Sequence, residues 1–230
     1  MTTRLTTLPE LLTARLAADG ASPLLTCYDD ATGERTELSA STFANWVAKT
    51  ANLVVDGLGL GPGDTAAVTL PLHWQSLVVV AGCWSAGLAV VLGGASGDLA
   101  VGAEGWDVPD GGETLLLSLR PMGAGLQAPR PDVTDFAADV RGYGDRFTGP
   151  GPTGDTEALD GRTHAALTAA AGDDRRLLLA PEGDPPLDAA LLRDAYVSPL
   201  LGGGSVVLCR HADRAGLAHR AEVERAVSVS

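Results

Sequence analysis

The chain has 230 residues, enough for one large α/β core, and 45% hydrophobic with 20% charged residues is the balance of a folded globular domain rather than a disordered one. A net charge of −13, with Lys49 as the only lysine, leaves no basic stretch to neutralise a phosphate backbone, so no nucleic-acid partner is expected. Cys27, Cys83 and Cys209 are odd in number and far apart in sequence, which argues against a disulfide framework and fits a reducing, cytoplasmic setting.

The first twenty residues carry Glu10 and Arg15 where an export signal needs an apolar core, and read instead as an amphipathic helix. Pro23 to Tyr28 and Arg35 to Leu38 flank a turn in which Gly33 supplies a positive φ, which predicts a β-hairpin. Ser39 or Ser41 caps the next helix, where Phe43, Trp46, Val47, Leu53 and Val54 recur at helical spacing until Gly57 to Gly63 ends it. Ala66 to Leu70 is then a buried strand, Trp74 to Gly87 a helix and Leu88 to Leu92 another strand; Trp46 and Trp84 fall at core positions.

Between Thr65 and Gly97 there is no Asp, Glu, Lys or Arg, which raises the question of a membrane span. Pro71, Gly82, Gly87 and Gly93-Gly94 divide that run, and its β-branched residues cluster at the ends, so a βαβ unit is expected and no membrane partner. Leu99 to Val101 and Thr114 to Leu119 read as further strands of the same sheet, Arg120 to Arg130 as a loop, and Val133 to Val140 as a short surface helix. Gly142 to Gly161 reads as loop, Thr163 to Ala171 as helix, Leu177 to Leu179 as strand and Leu187 to Leu201 as helix. Gly202 to Gly204 stops that helix before a final core strand, Ser205 to Cys209, and Ala221 to Ser230 reads as a fraying helix. With no repeat and no long linker, residues 1–230 are expected to form a single α/β domain: a doubly wound, mostly parallel sheet with helices on both faces.

The segment GERTELSASTFANWVAKTANLVVDGLGLGPGDTAAVTLPLHWQSLVVVAGCWSAGLAVVL resembles the opening of the adenylate-forming superfamily, which includes acyl-CoA synthetases, peptide-synthetase adenylation domains and luciferases. Gly63-Asp64, Leu70-Pro71 and Ala86-Gly87 carry the likeness most clearly. Thr163-His164 with Ala165, Ala166 and Leu167 is similar to the Thr-His-x-x-Leu after that family's phosphate loop, and SPLLGGGSVVL resembles a later helix-to-strand passage. The resemblance implies a fold like the N-terminal subdomain of acyl-CoA synthetases, truncated before the rest of the enzyme.

It also implies a nucleotide site at Thr153, Gly154, Thr156 and His164, and there the sequence departs from the family. Glu157 stands about where the family's phosphate-binding lysine belongs, and a carboxylate repels a triphosphate. Gly149, Gly154 and Thr156 also fit P-loop spacing, but Asp155 replaces its lysine and the prolines remove amide donors, so an acidic surface loop is expected. ATP or AMP is therefore disfavoured and no cofactor is expected. The family's later acyl pocket, ribose-binding Asp and catalytic lysine have no counterpart in these residues, so adenylation by this chain alone is not expected.

His73 follows a strand's carboxyl end, where α/β folds place ligands, and with Gly93 and Gly94 defines a candidate ligand crevice; alternatively His73 caps the next helix and His164 packs locally. Cys209, His211 and His219 lack a fourth ligand, so no metal is assigned, and Gly94 to Asp98 lacks the second glycine of a nucleophile elbow. Asp29, Asp30, Asp173, Asp174 and Asp184 lie at turns and would serve acid–base chemistry only if a cleft brought them together, so no catalytic residue is assigned. The expected role is a non-catalytic domain that binds a small ligand or a partner. The alternatives are a residual nucleotide- or acyl/CoA-binding enzyme, and a homo-oligomeric or partner-binding subunit that covers surface a whole synthetase would bury.

Overall fold

A computed structural model describes residues 5–94, 96–107 and 111–229, and its strands fall into two sheets. The first contains β1 (Pro23–Asp29), β2 (Glu34–Ser39), β10 (Arg176–Leu179), β11 (Ser205–Arg210) and β12 (Val227–Val229), in the order β12-β10-β11-β1-β2. Only the β1–β2 hairpin is antiparallel in it. The second contains β3 (Thr65–Thr69), β4 (Ala89–Leu92), β5 (Leu99–Ala103), β6 (Glu113–Leu117), β7 (Thr134–Asp135), β8 (Glu157–Leu159) and β9 (Arg162–Thr163). Their order is β7-β6-β5-β3-β4-β8-β9, parallel except for β8–β9.

Three helices near the N-terminus organise the core. α1 (Leu8–Asp19) begins in a reciprocal cap, with Thr7 accepting from the Glu10 amide and Glu10 accepting from the Thr7 amide. Ser39 caps α2 (Ala40–Asn52) by accepting from the Thr42 amide, and the helix widens into a π-turn over Leu53–Gly57. Every residue of α3 (Trp74–Ala86) except Ser85 is buried, and it packs against α2, against β1 of the first sheet and against β4 of the second. That enclosure explains the charge-free run: a helix surrounded by protein has no solvent face on which to carry charges. No described helix is long and apolar enough to cross a membrane. α2 and α3 approach closely at Gly82, where a β-carbon would lie 2.4 Å from a Thr50 methyl.

Several predicted boundaries change. The predicted loop from Gly142 to Gly161 contains β8, and the short helix expected at Val133 to Val140 is α4 (Phe136–Asp139) followed by a 3-10 turn, with Phe136 and Val140 buried. The helix expected from Thr163 to Ala171 is α5 (His164–Thr168). Leu187 to Leu201 resolves into α6 (Ala189–Leu192), a π-turn over Arg193–Val197 and α7 (Ser198–Gly202). The helix expected at the C-terminus ends earlier, as α8 (Leu217–Glu224), and Val227–Val229 instead pairs with β10; Ser230 lies outside the described residues. The mostly parallel α/β character stands, with two sheets sharing the strands expected in one.

Candidate functional site

The segment where the resemblance places a phosphate loop is folded around its own hydrogen bonds. Thr156 Oγ1 accepts from the Thr153 amide at 3.0 Å, and the Thr156 amide returns to the Thr153 carbonyl at 3.1 Å. The Gly154 carbonyl accepts from Ala165, and the Thr156 carbonyl accepts from His164. β8 and β9 are joined by Asp160-Gly161, both at positive φ (47° and 79°), as a two-residue hairpin of opposite turn hand requires. Glu157 Oε1 accepts from the Gly161 amide at 3.0 Å, and Asp160 Oδ1 accepts from the Leu92 amide at 3.0 Å, tying the hairpin to β4. Underneath, Trp84 Nε1 donates to the Ala158 carbonyl at 2.6 Å.

His164 heads α5 fully buried, and its Nδ1 accepts from the Leu8 amide at 3.3 Å, so the ring helps to cap α1. Burial holds its pKa down at about 4 and keeps it neutral. The four positions of the implied nucleotide site thus stand together, engaged with one another and with α1. Lys49, the sole lysine, donates to the Tyr143 carbonyl at 2.5 Å.

His73 is the N-cap of α3: its Nδ1 accepts from the Gln75 amide at 3.3 Å. It is fully buried, and burial together with the nearby Arg210 charge lowers its pKa to about 3. Gly93, at φ 66°, donates its amide to the Val68 carbonyl, and Gly94 packs on Val91 and Ala67. His73 and Gly93 therefore follow neighbouring parallel strands at the same end of the second sheet, but His73 offers no face to solvent. Ala95, inside the segment read against the nucleophile elbow, lies outside the described residues.

The turn carboxylates Asp29 and Asp184 do converge. Arg210, at the carboxyl end of β11, donates to both oxygens of Asp184 at 2.8 and 2.7 Å and reaches Asp29 at 3.5 Å. His211 Nδ1 lies 2.9 Å from Asp29, and its Nε2 lies 3.7 Å from Asp184. Asp184 and His211 both hold positive φ (54° and 46°), a conformation that costs about 1 kcal/mol or more for a residue with a β-carbon. Asp30 is taken by Arg220, whose guanidinium also lies over the Tyr28 ring at 4.3 Å. Sequence reading missed the pairing of Arg210 and His211 with these carboxylates because Asp29 is some 180 positions away and Asp184 lies across a loop and the helices α6 and α7; the available signal was an Arg-His step at the end of a core strand.

Beside this cluster, at the carboxyl ends of β10 and β12, lies a cavity of about 550 Å³. Leu178, Leu191, Leu217 and Val229 give it apolar walls, with Asp188 and Arg214 among its polar positions. The cavity has the size and mixed lining of a small-molecule pocket.

No family profile matches the chain. A TIGR03089 family protein of Mycobacterium tuberculosis is 37% identical over 246 residues, across the whole of both chains. The chain belongs to the TIGR03089 family. Among solved structures it is similar in fold to the N-terminal domain of FACL13 from Mycobacterium tuberculosis (TM-score 0.72, 13% identity), covering 96% of this chain and 62% of that one. An acyl-CoA synthetase from Brucella canis gives a TM-score of 0.67 at 20% identity, over 95% of this chain and 45% of its own. At these identities the likeness establishes the fold: an acyl-CoA-synthetase N-terminal architecture, of which the TIGR03089 chain spans less than two thirds.

Proposed function

We propose that this TIGR03089 protein is a small-molecule-binding domain on an acyl-CoA-synthetase scaffold, and that it does not adenylate. The observation that carries this reading is the closure of the Thr153–Thr163 segment by Glu157. An ATP phosphate needs free amides and a cation there; the segment engages the Thr153, Thr156 and Gly161 amides internally and carries Asp155, Glu157 and Asp160 in place of a cation. The residues present do not fit a triphosphate.

The cavity at the ends of β10 and β12 supports a ligand of largely apolar body with a polar group toward its rim. ATP–pyrophosphate exchange over a panel of carboxylic acids tests the non-adenylating half: no exchange above background is expected, and exchange saturable in both ATP and acid overturns it. Replacing Leu191, on the cavity wall, with Trp tests the binding half, because it should abolish binding of any ligand found by screening. Retained affinity in a folded Leu191→Trp protein rejects the cavity as the site.

A second reading, self-association through the edge strand β12, has support from Val227 within it and Val223 on the preceding helix, which are 44% and 64% exposed. Light scattering over a concentration series tests it, and a constant monomer mass removes it.

A further inference from the structure

Besides that cavity, unmatched polar groups gather at the opposite sheet. β4 flanks β3 on one side and β5 on the other, so the carboxyl end of β3, where α3 begins, is a point of strand-order reversal at which α/β folds take ligands. In the first turn of α3, Trp74 Nε1 and Gln75 Oε1 are buried without a hydrogen-bond partner, on side chains 3% and 1% exposed. Arg120, three residues beyond β6, has a buried Nε without a partner as well. Such groups are uncommon in folded proteins and each costs about 1–3 kcal/mol, so three around one loop require a cause.

Gly123 lies against the side chains of Trp74, Gln75 and Arg141, and its amide donates to the Arg120 carbonyl at 3.2 Å. A β-carbon there would lie 3.4 Å from Arg141 Nη2, 3.6 Å from Gln75 Nε2 and 3.9 Å from the Trp74 ring. The covering loop is strained, with Leu119 and Met122 at φ 53° and 59°, and is strapped down by arginines: Arg141 donates to the Gly123 carbonyl at 2.6 Å and Arg120 to the Gly125 carbonyl at 2.6 Å. Neither arginine makes an ion pair among the described residues, in a chain of net charge −13. The nearby carboxylates are engaged: Asp135 accepts from the Leu126, Ala137 and Ala138 amides, and Glu104 from the Gln127 and Ala128 amides.

We propose that Trp74, Gln75, Arg120 and Arg141, around Gly123 at the head of α3, form a binding site for an anionic group, a carboxylate or a phosphate. Two guanidinium groups and the Gln75 Nε2 donor, beside the positive end of a helix, suit an acceptor-rich anion and repel a cation. Met122, 90% exposed at the top of the loop, marks the side from which the loop would lift to admit it. None of these residues lines the β10–β12 cavity, so the two sites fail or stand separately.

The test is thermal melting and calorimetry of the full chain in inorganic phosphate, in acetate and in chloride, at one ionic strength. A saturable rise in melting temperature over chloride is expected with phosphate or with acetate, and the arm that responds identifies the anion. Arg120→Met and Gln75→Met should each weaken that anion about tenfold or more, while Gln75→Met melts in chloride no lower than the native protein because an unmet acceptor is gone. No saturable rise in either anion, or an equal rise in both variants, overturns the proposal and leaves the orphaned groups as solvated packing.

Discussion

Arg210→Met removes the one cation that joins Asp29 to Asp184 while keeping a long apolar stem in the same space. Arg210 is 7% exposed and Asp29 5%, so the variant leaves a buried carboxylate with only the Ala31 amide and His211 as described partners. Removing one partner of a buried pair typically costs about 3–5 kcal/mol; because Asp184 keeps some solvent and His211 still contacts Asp29, we expect about 3 kcal/mol. With a urea slope of about 2–3 kcal/mol per molar, the midpoint should fall by roughly 1 M.

The acid dependence of that loss has a definite sign. Burial raises the Asp184 pKa, but hydrogen bonding and charge from Arg210 outweigh it and leave the carboxyl below its usual 3.8. A carboxyl depressed in the native state contributes stability that is complete above 3.8 and is lost as pH falls through its folded value. Without Arg210, burial dominates and Asp184 takes up its proton more readily in the native state. The native-minus-variant gap should therefore be widest at pH 7 and narrow towards about pH 4.5. Urea melts at both pH values give the answer: a gap under about 1 kcal/mol at pH 7, or one that does not narrow, refutes the ion-pair account.

Three further outcomes follow from the same packing. His73 is held neutral, with its pKa lowered from 6.5 to about 3, so native stability is complete above 6.5 and declines below it. His73→Asn keeps a helix cap but removes that titration, and urea melts should show the native protein losing about 1.4 kcal/mol more than the variant per pH unit below 6.5. Trp84→Phe leaves the Ala158 carbonyl without its indole donor and should cost about 1–3 kcal/mol by denaturant melting, with faster amide exchange in the β8–β9 hairpin. Gly82→Ala forces a methyl to within 2.4 Å of Thr50 and should lower stability by about 1–3 kcal/mol, partly restored by Thr50→Ser, which a double-mutant cycle measures.

Much of the fold is legible in sequence because the first hundred residues obey local rules. Ser39 and Gly33 mark a cap and a turn, and Gly87, at φ 88°, ends α3 where the pattern places its end. The later elements resist reading because tertiary contacts set them. β12 is three residues whose strand character comes from pairing with β10, and the helical run through Arg193–Val197 is widened by a π-turn that no periodicity announces. The β8–β9 hairpin was readable from Asp160-Gly161, a strong two-residue turn signal that the Pro- and Gly-rich stretch before it obscures. The resemblance grouped Thr153, Gly154, Thr156 and His164, and in the fold they stand together around the β8–β9 hairpin. The Asp29–Asp184–Arg210 cluster and the groups around Gly123 join residues whose proximity only the folded sheets create.

Titrating the full chain with Mg-ATP in a calorimeter, beside a Glu157→Lys variant, tests the central claim most directly. The account predicts no saturable heat from the native protein, because Glu157 closes the hairpin on itself and puts a negative charge, not a cation, in the segment. Saturable binding by the native chain, weakened rather than strengthened when Glu157 becomes lysine, would contradict it.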